Sequence, residues 1–430
     1  MSEIQHAPIQ SSSQLDVDVA TRLRRRVACL TRKHSTWGIS WPLLGLRRSE
    51  SQAIIRKFGH HDATGSGTVF GTPCKTHPAN AAFLNATMSQ VYDCNDGNTC
   101  GAYHAGRVLI PTAFAVAEHT GASGPDLLAA LVVGYEIAHR ASTDEPRHRS
   151  DGLGAAATAA RLLGLSSEQF VHALRLSDQH GPHLYPGPEN FNSDANHLSN
   201  GIIARAAVES AFFARKGLTA DEGRLIVEGE FPAGGDSFLI NQVYIKPFIA
   251  CWICHNSIQC ALAFRQNHRD RIHDIEKIEV RLSTTGTYVS QRVGPEARFK
   301  TAQFSIPYTV ACALLDGEAD EHQFTRIASA DVQALQEKVE VQFQPRRLPA
   351  GPCPTEMTIT LRDGRVFSNS RLHPKGSPAN PLSDEELVGL FCKWAGPDLP
   401  ARQQIIEIVS SLETSRDVRD LTRLLHIAAP

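Results

Sequence analysis

The chain reads as a mainly α protein, a large all-α helical domain joined to a smaller α+β domain. Three observations carry that reading. Apolar residues, many of them alanine, recur at helical spacing from about residue 16 to 229. Near residue 275 the period changes to alternation, as in Ile278-Glu279-Val280-Arg281-Leu282 and Val339-Glu340-Val341-Gln342-Phe343. Helical spacing then returns at 383–395 and 402–426.

Taken in order, residues 1–15 are polar with a Ser11-Ser12-Ser13 run, and are expected to be disordered. The all-α domain is expected over 16–269. Between Ala79 and Gly134, two Ala-rich helical patterns flank a short polar break. Leu127, Leu128, Leu131, Val132, Tyr135 and Ile137 predict a helix over 125–139, with Pro125 in its first turn. Residues 155–165 and 201–217 predict two more, with Gly164 and Gly217 at their ends. The α+β domain is expected over 270–375. Its hairpin signal is Asp363-Gly364, between Met357-Thr358-Ile359-Thr360-Leu361 and Val366-Phe367. Helices within 376–430 are expected to pack back on the all-α domain. No internal repeat is present.

Composition narrows the function classes. The chain has 430 residues, 42% hydrophobic and 20% charged, which is ample material for a core. Its formal net charge of −2 gives no electrostatic footprint for nucleic acid or an anionic membrane. Its 10 cysteines lie mostly inside apolar patterns, the distribution of buried thiols in a reducing compartment. No apolar run approaches the ~18 residues of a membrane span, and no secretory signal opens the chain. A cytoplasmic protein is therefore expected. The basic patch Arg22, Arg24, Arg25 and Arg26 leaves a mitochondrial leader as the alternative, although Glu3, Asp16 and Asp18 precede it.

The polar break between the two Ala-rich helices holds Asp93, Asp96 and His104. The aspartates can cap the following helix, with His104 at the surface. The same three can form an acid/base set, since a carboxylate polarises an imidazole and histidine moves protons near neutral pH. From the residues alone both readings stand. Further on, Cys251-Trp252-Ile253-Cys254-His255 matches the c-type haem pattern, but no export signal or small haem domain accompanies it. A second metal-ligand pair at zinc spacing is also missing. That segment offers instead Lys246 before Pro247 and His255 after it, a cation and an imidazole where the texture changes. Tyr308 opens an apolar helix, either as a phenol facing a ligand or as a core tyrosine. Arg147-His148-Arg149 and Asn192–His197 precede Ala-rich helices, as carboxylate-binding helix starts or as solvated loops. The sequence has no GxGxxG after a strand, Walker A motif, GxSxG or HExxH, so neither a cofactor nor a metal is expected.

Taken together, these segments resemble the MmgE/PrpD family, whose members include 2-methylcitrate dehydratase, cis-aconitate decarboxylase and iminodisuccinate epimerase. The matching stretches are ANAAFLNATMSQVYDCND, HAGRVLIPTAFAVAE, GLGAAATAARLLGL, NGIIARAAVESAFFARKGL, IKPFIACWICHNSI and FKTAQFSIPYTVACALLDG, in order over roughly 60–425. The resemblance implies an α+β lid over a helical domain, an active site between them, a homodimer and small polycarboxylate substrates. It places the family's acidic motif on Asp93 and Asp96, its histidines on His104 and His148, its junction lysine on Lys246 and its tyrosine on Tyr308. Three departures stand out. Decarboxylase-like members carry Thr where this chain has Gly97. A Lys-Arg pair found in many members is replaced by Asn196-His197. Residues 22–50 match the expected first helices poorly.

The resemblance implies catalytic roles for Asp93, His104 and Tyr308. Carboxylate contacts fall to Asp96, His148, Asn196, His197, Lys246 and His255. Gly97 and Asn196 put dehydration of a 2-methylcitrate-type hydroxy acid first. Decarboxylation of a cis-aconitate-type acid and dicarboxylate epimerisation are the alternatives. A catalytically inactive dimeric binding protein is the reading from another class.

Overall fold

The computed structural model describes residues 38–59, 65–99, 104–141, 147–181, 195–221, 238–283, 286–344, 353–397, 399 and 401–427, apart from the side chains of 147, 148 and 196. The expected disordered segment 1–15 and the basic patch at 22–26 lie outside these residues.

After a helical stretch at 38–45 come α1 (Ser49–Phe58), α2 (Pro78–Ser89), α3 (Gly106–Thr120), α4 (Gly124–Arg140), α5 (Arg147–Leu162), α6 (Ser167–His180) and α7 (Ala195–Arg215). Local chemistry sets their ends. The His77 ring accepts from the Ala79 amide ahead of Pro78, Ser123 caps α4, and Ser166 with Gln169 forms a capping box on α6. α5 begins earlier than its alanine run, and α7 earlier than Gly201. The alanines explain the close bundle: Ala155, Ala156, Ala157, Ala159 and Ala160 are all fully buried.

The second region contains α8 (His255–His268), β5 (Ile275–Leu282), α9 (Phe299–Gln303), α10 (Ile306–Asp316), α11 (Ala330–Gln336), β6 (Val339–Phe343), β7 (Thr355–Leu361) and β8 (Val366–Arg371). The sheet order is β6-β5-β7-β8, with β5 and β6 parallel and the other pairs antiparallel. Alternation in β5 and β7 buries Ile278, Val280, Met357 and Ile359 on one face, as the period predicted. Gly364, at φ 84°, makes the predicted β7–β8 turn.

Buried apolar side chains form two large clusters. One unites α2–α7 with α12 (Asp384–Ala395), α13 (Arg402–Ser410) and α14 (Arg419–Leu425). The other runs from Ala250 to Leu361. The sequence division at 269/270 falls after α8, yet Ile258, Cys260, Ala261 and Phe264 of α8 pack in the second cluster. The single helical pattern over 402–426 is two helices in the structure. Ser411 and Thr414 hydroxyls turn back onto local carbonyls, while Ser415 and Val418 bond the 122–124 turn. Two short strand pairs complete the fold: β1 (Gly67–Thr68) with β2 (Lys75–Thr76), and β3 (Gly97–Asn98) with β4 (Val243–Tyr244). The second pair ties the polar break to the segment entering the second cluster. Among the described residues, no helix is long and apolar enough to cross a membrane.

Candidate active site

The break between α2 and α3 is polar but buried. Asp93 sits at φ 47°, a left-handed conformation that aspartate tolerates better than most residues. Lys246 holds it there. The ammonium donates to the Asp93 carbonyl at 2.9 Å and to its Oδ2 at 3.0 Å. Both side chains are almost wholly buried, at 1% and 8% exposed, so the charges meet where water screens them little. The helical bundle thus supplies the acid, and the segment leading into the second cluster supplies the base.

Asp96 turns the other way. Its Oδ2 accepts from the Tyr135 hydroxyl at 2.7 Å and from the Gly106 amide at 3.2 Å, the first amide of α3. Among the described residues its Oδ1 has no hydrogen-bond partner. Burial pushes this carboxyl up to about 7, and the charge of Asp151 adds to the shift against the opposing Tyr135 bond. Gly106 is required here, because a β-carbon on it would lie 2.4 Å from the Tyr135 hydroxyl and 2.6 Å from Asp96 Oδ2.

His104 bonds through Nδ1 to the Asp96 main-chain carbonyl. A carbonyl can only accept, so Nδ1 carries a proton, and in the neutral ring the lone pair lies on Nε2. Expected as one acid/base set, the three residues divide. Asp93 pairs with Lys246, the Asp96 carboxyl caps and braces α3, and the Asp96 carbonyl fixes the His104 tautomer. The Asp96 carboxyl is therefore an internal brace where the sequence suggested a substrate contact.

Two further expectations meet different surroundings. His255 is fully buried, and its Nε2 donates to the Ala250 carbonyl at 3.1 Å. Burial, with the Lys246 charge, lowers this imidazole to about 3, so it is neutral and cannot serve as a carboxylate-binding cation. Tyr308 is a core tyrosine of the second cluster. Its hydroxyl donates to the Gln323 carbonyl, and burial raises it well above the usual phenol range. His197 is buried in the first turn of α7. His148 lies in the first turn of α5 and Asn196 in that of α7, but their side chains are outside the described residues.

Sequence reasoning missed a buried polar group beside Asp96. Arg107 donates to Gln90 Oε1 at 2.9 Å and lies 3.5 Å from Asp151 Oδ2, while Asn95 donates to Gln90 at 2.7 Å. The available signal was Arg107 itself, a charge in the first turn of an otherwise apolar helix. Tyr244 was missed too. Its ring stacks on Trp252 at 3.8 Å with a 7° interplanar angle, and meets the His104 ring edge-on at 6.5 Å. The described cysteines are free thiols, buried except Cys392. Among the described residues, no three His, Cys, Asp or Glu side chains gather as a metal site would need.

The MmgE/PrpD N-terminal domain matches residues 37–240, and the MmgE/PrpD C-terminal domain matches 248–414. The chain belongs to the MmgE/PrpD family. The Asp93–Lys246 pair ties the first family domain, which holds Asp93, to the short link between the two matches, which holds Lys246. Three curated relatives match most of the chain. The cis-aconitate decarboxylase-like protein oryM of Aspergillus oryzae is 26% identical, covering 90% of each chain. Human cis-aconitate decarboxylase is 29% identical over 85% of this chain and 83% of its own. The mouse cis-aconitate decarboxylase is 28% identical over 84% and 81%.

Proposed function

We propose that this protein is a cofactor-independent lyase that removes CO2 from a cis-aconitate-type tricarboxylate. The buried Lys246–Asp93 pair carries the reading, because it fixes a cation where the two family matches meet, with Asp93 three residues before the Asp96 carbonyl that orients His104. The names of the three relatives support this choice of reaction, where the sequence alone put dehydration first.

In this reading Lys246 donates its remaining N–H to a substrate carboxylate, with His148, Asn196 and His197 as further contacts at two helix starts. The C–C bond to the departing carboxylate breaks, and its electron pair forms a new C=C. The electrons of the old C=C take a proton at the methine carbon. His104 in its imidazolium form gives that proton from Nε2, while the Asp96 carbonyl holds Nδ1–H and so stabilises the cation. One trianion and one proton yield CO2 and one dianion. The α+β domain covers the site and excludes water.

Dehydration of a 2-methylcitrate-type acid is the second reading, favoured by Gly97. Purified protein is incubated with cis-aconitate, citrate and 2-methylcitrate while CO2 and alkene absorbance are followed. CO2 from cis-aconitate is the expected result, and alkene formed from 2-methylcitrate moves the assignment to dehydration. Thermal stabilisation by these acids without turnover identifies a binding protein. Folded protein that neither binds nor converts any of them refutes the tricarboxylate reading.

A further inference from the structure

Gly97 and Tyr244 are directly paired across β3 and β4. A β-carbon on Gly97 would lie 2.2 Å from both Cζ and Oη of Tyr244. No real side chain tolerates that distance, so the phenol fills the volume that a residue-97 side chain would need. Tyr244 is 5% exposed, held flat on Trp252 and edge-on to His104. Lys246 follows two residues later on the same segment. The phenol therefore stands by the proton-transferring ring and close in sequence to the site's lysine.

We infer that Tyr244 is a specificity-determining residue, whose phenol, seated where a residue-97 side chain would otherwise lie, donates a hydrogen bond to a substrate carboxylate. The inference rests on the tricarboxylate reading above. A rigid aromatic suits the task. Stacking on Trp252 removes the ring's freedom before a ligand arrives, so little entropy is lost on binding. A hydrogen bond from a neutral hydroxyl to a carboxylate is among the stronger kinds, and its loss is expected to cost about tenfold in affinity.

Tyr244→Phe separates the hydroxyl from the ring. It is expected to raise KM for the tricarboxylate about tenfold, with a smaller change in kcat. A tyrosine that only filled space would leave KM unchanged in the Phe variant, and that result overturns the inference. A compensating pair gives a second route. Gly97→Ser alone is expected to lower the melting temperature, because its β-carbon meets the ring. Placed in a Tyr244→Ala background it fits, and its hydroxyl is expected to recover part of the lost affinity. Failure of the pair to improve on Tyr244→Ala also counts against the assignment. Wild-type protein that neither binds nor converts a tricarboxylate overturns the functional reading and the substrate role with it. Active wild type beside an unchanged Phe variant overturns the role of Tyr244 alone.

Discussion

Replacing Asp96 by asparagine tests the brace beneath the site. The folded protein holds the Asp96 carboxyl near 7, against an ordinary value of 3.8, because burial disfavours its charge. About three pKa units at 1.36 kcal/mol each correspond to roughly 4 kcal/mol. The sign follows from proton counts. Between about pH 4 and pH 7 the folded chain keeps a proton that the unfolded chain has released, so stability falls as pH rises through that window. Asparagine is nearly isosteric and always neutral. Its carbonyl can still accept from Tyr135 and Gly106, and its amide, at the place of the unpartnered Oδ1, costs about 1–2 kcal/mol. Wild type is therefore expected to equal or exceed Asp96→Asn near pH 4. The variant is expected to lead by about 2 kcal/mol at pH 8. Melting temperatures of both proteins are measured in steps from pH 4 to 8. Other shifted groups, such as Glu136 and His255, are common to both proteins and cancel in the difference. A difference that stays constant across the range refutes the claim that Asp96 is carried neutral into the fold.

Lys246→Met leaves the Asp93 carboxylate buried without its partner. A loss of about 3–5 kcal/mol is expected by chemical denaturation, along with loss of tricarboxylate binding by calorimetry. Gly106→Ala pushes a β-carbon between Tyr135 and Asp96 and is expected to cost about 1–3 kcal/mol, read as a lower melting temperature. Tyr308→Phe removes one core hydrogen bond and is expected to cost about 1 kcal/mol while turnover stays within about twofold. A hundredfold loss of turnover there would restore the catalytic role that the sequence suggested.

The helices and the hairpin were legible because their cause is local. Alanine spacing, Ser and Pro at helix starts and alternation in β5 and β7 act within a few residues of themselves. The break at 411–418 was less legible, since the 122–124 turn that holds it lies about 290 residues away in sequence. The same limit governs the site. Asp93, Asp96 and His104 are close in sequence and could be named together, but their division depends on distant partners, Lys246 for Asp93 and Tyr135 for Asp96. Tyr308 and His255 look alike in sequence whether they face a ligand or a core, because burial is set by the elements packed over them. Tyr244 escaped notice for a related reason. Its importance lies in a side chain that Gly97 lacks, and an absent side chain has no periodicity to read.

The lysine's geometry also limits how charge can be handled here. An ammonium has three N–H groups, and Lys246 gives one to the carbonyl and one to the carboxylate of Asp93. Among the described residues the third has no partner. The resting pair is neutral overall, so on the tricarboxylate reading it would offer an incoming trianion one donor and little net attraction. His255 cannot make up the difference, being buried and neutral. On the decarboxylase reading, an imidazole able to take up a proton would supply further positive charge, and His104, with Nδ1–H on the Asp96 carbonyl, is the one we assign. On that reading the group that charge-balances the bound substrate would also be the group that gives up a proton. Substrate binding would itself load the acid, and departure of CO2 with transfer of that proton would return the site to its neutral resting state.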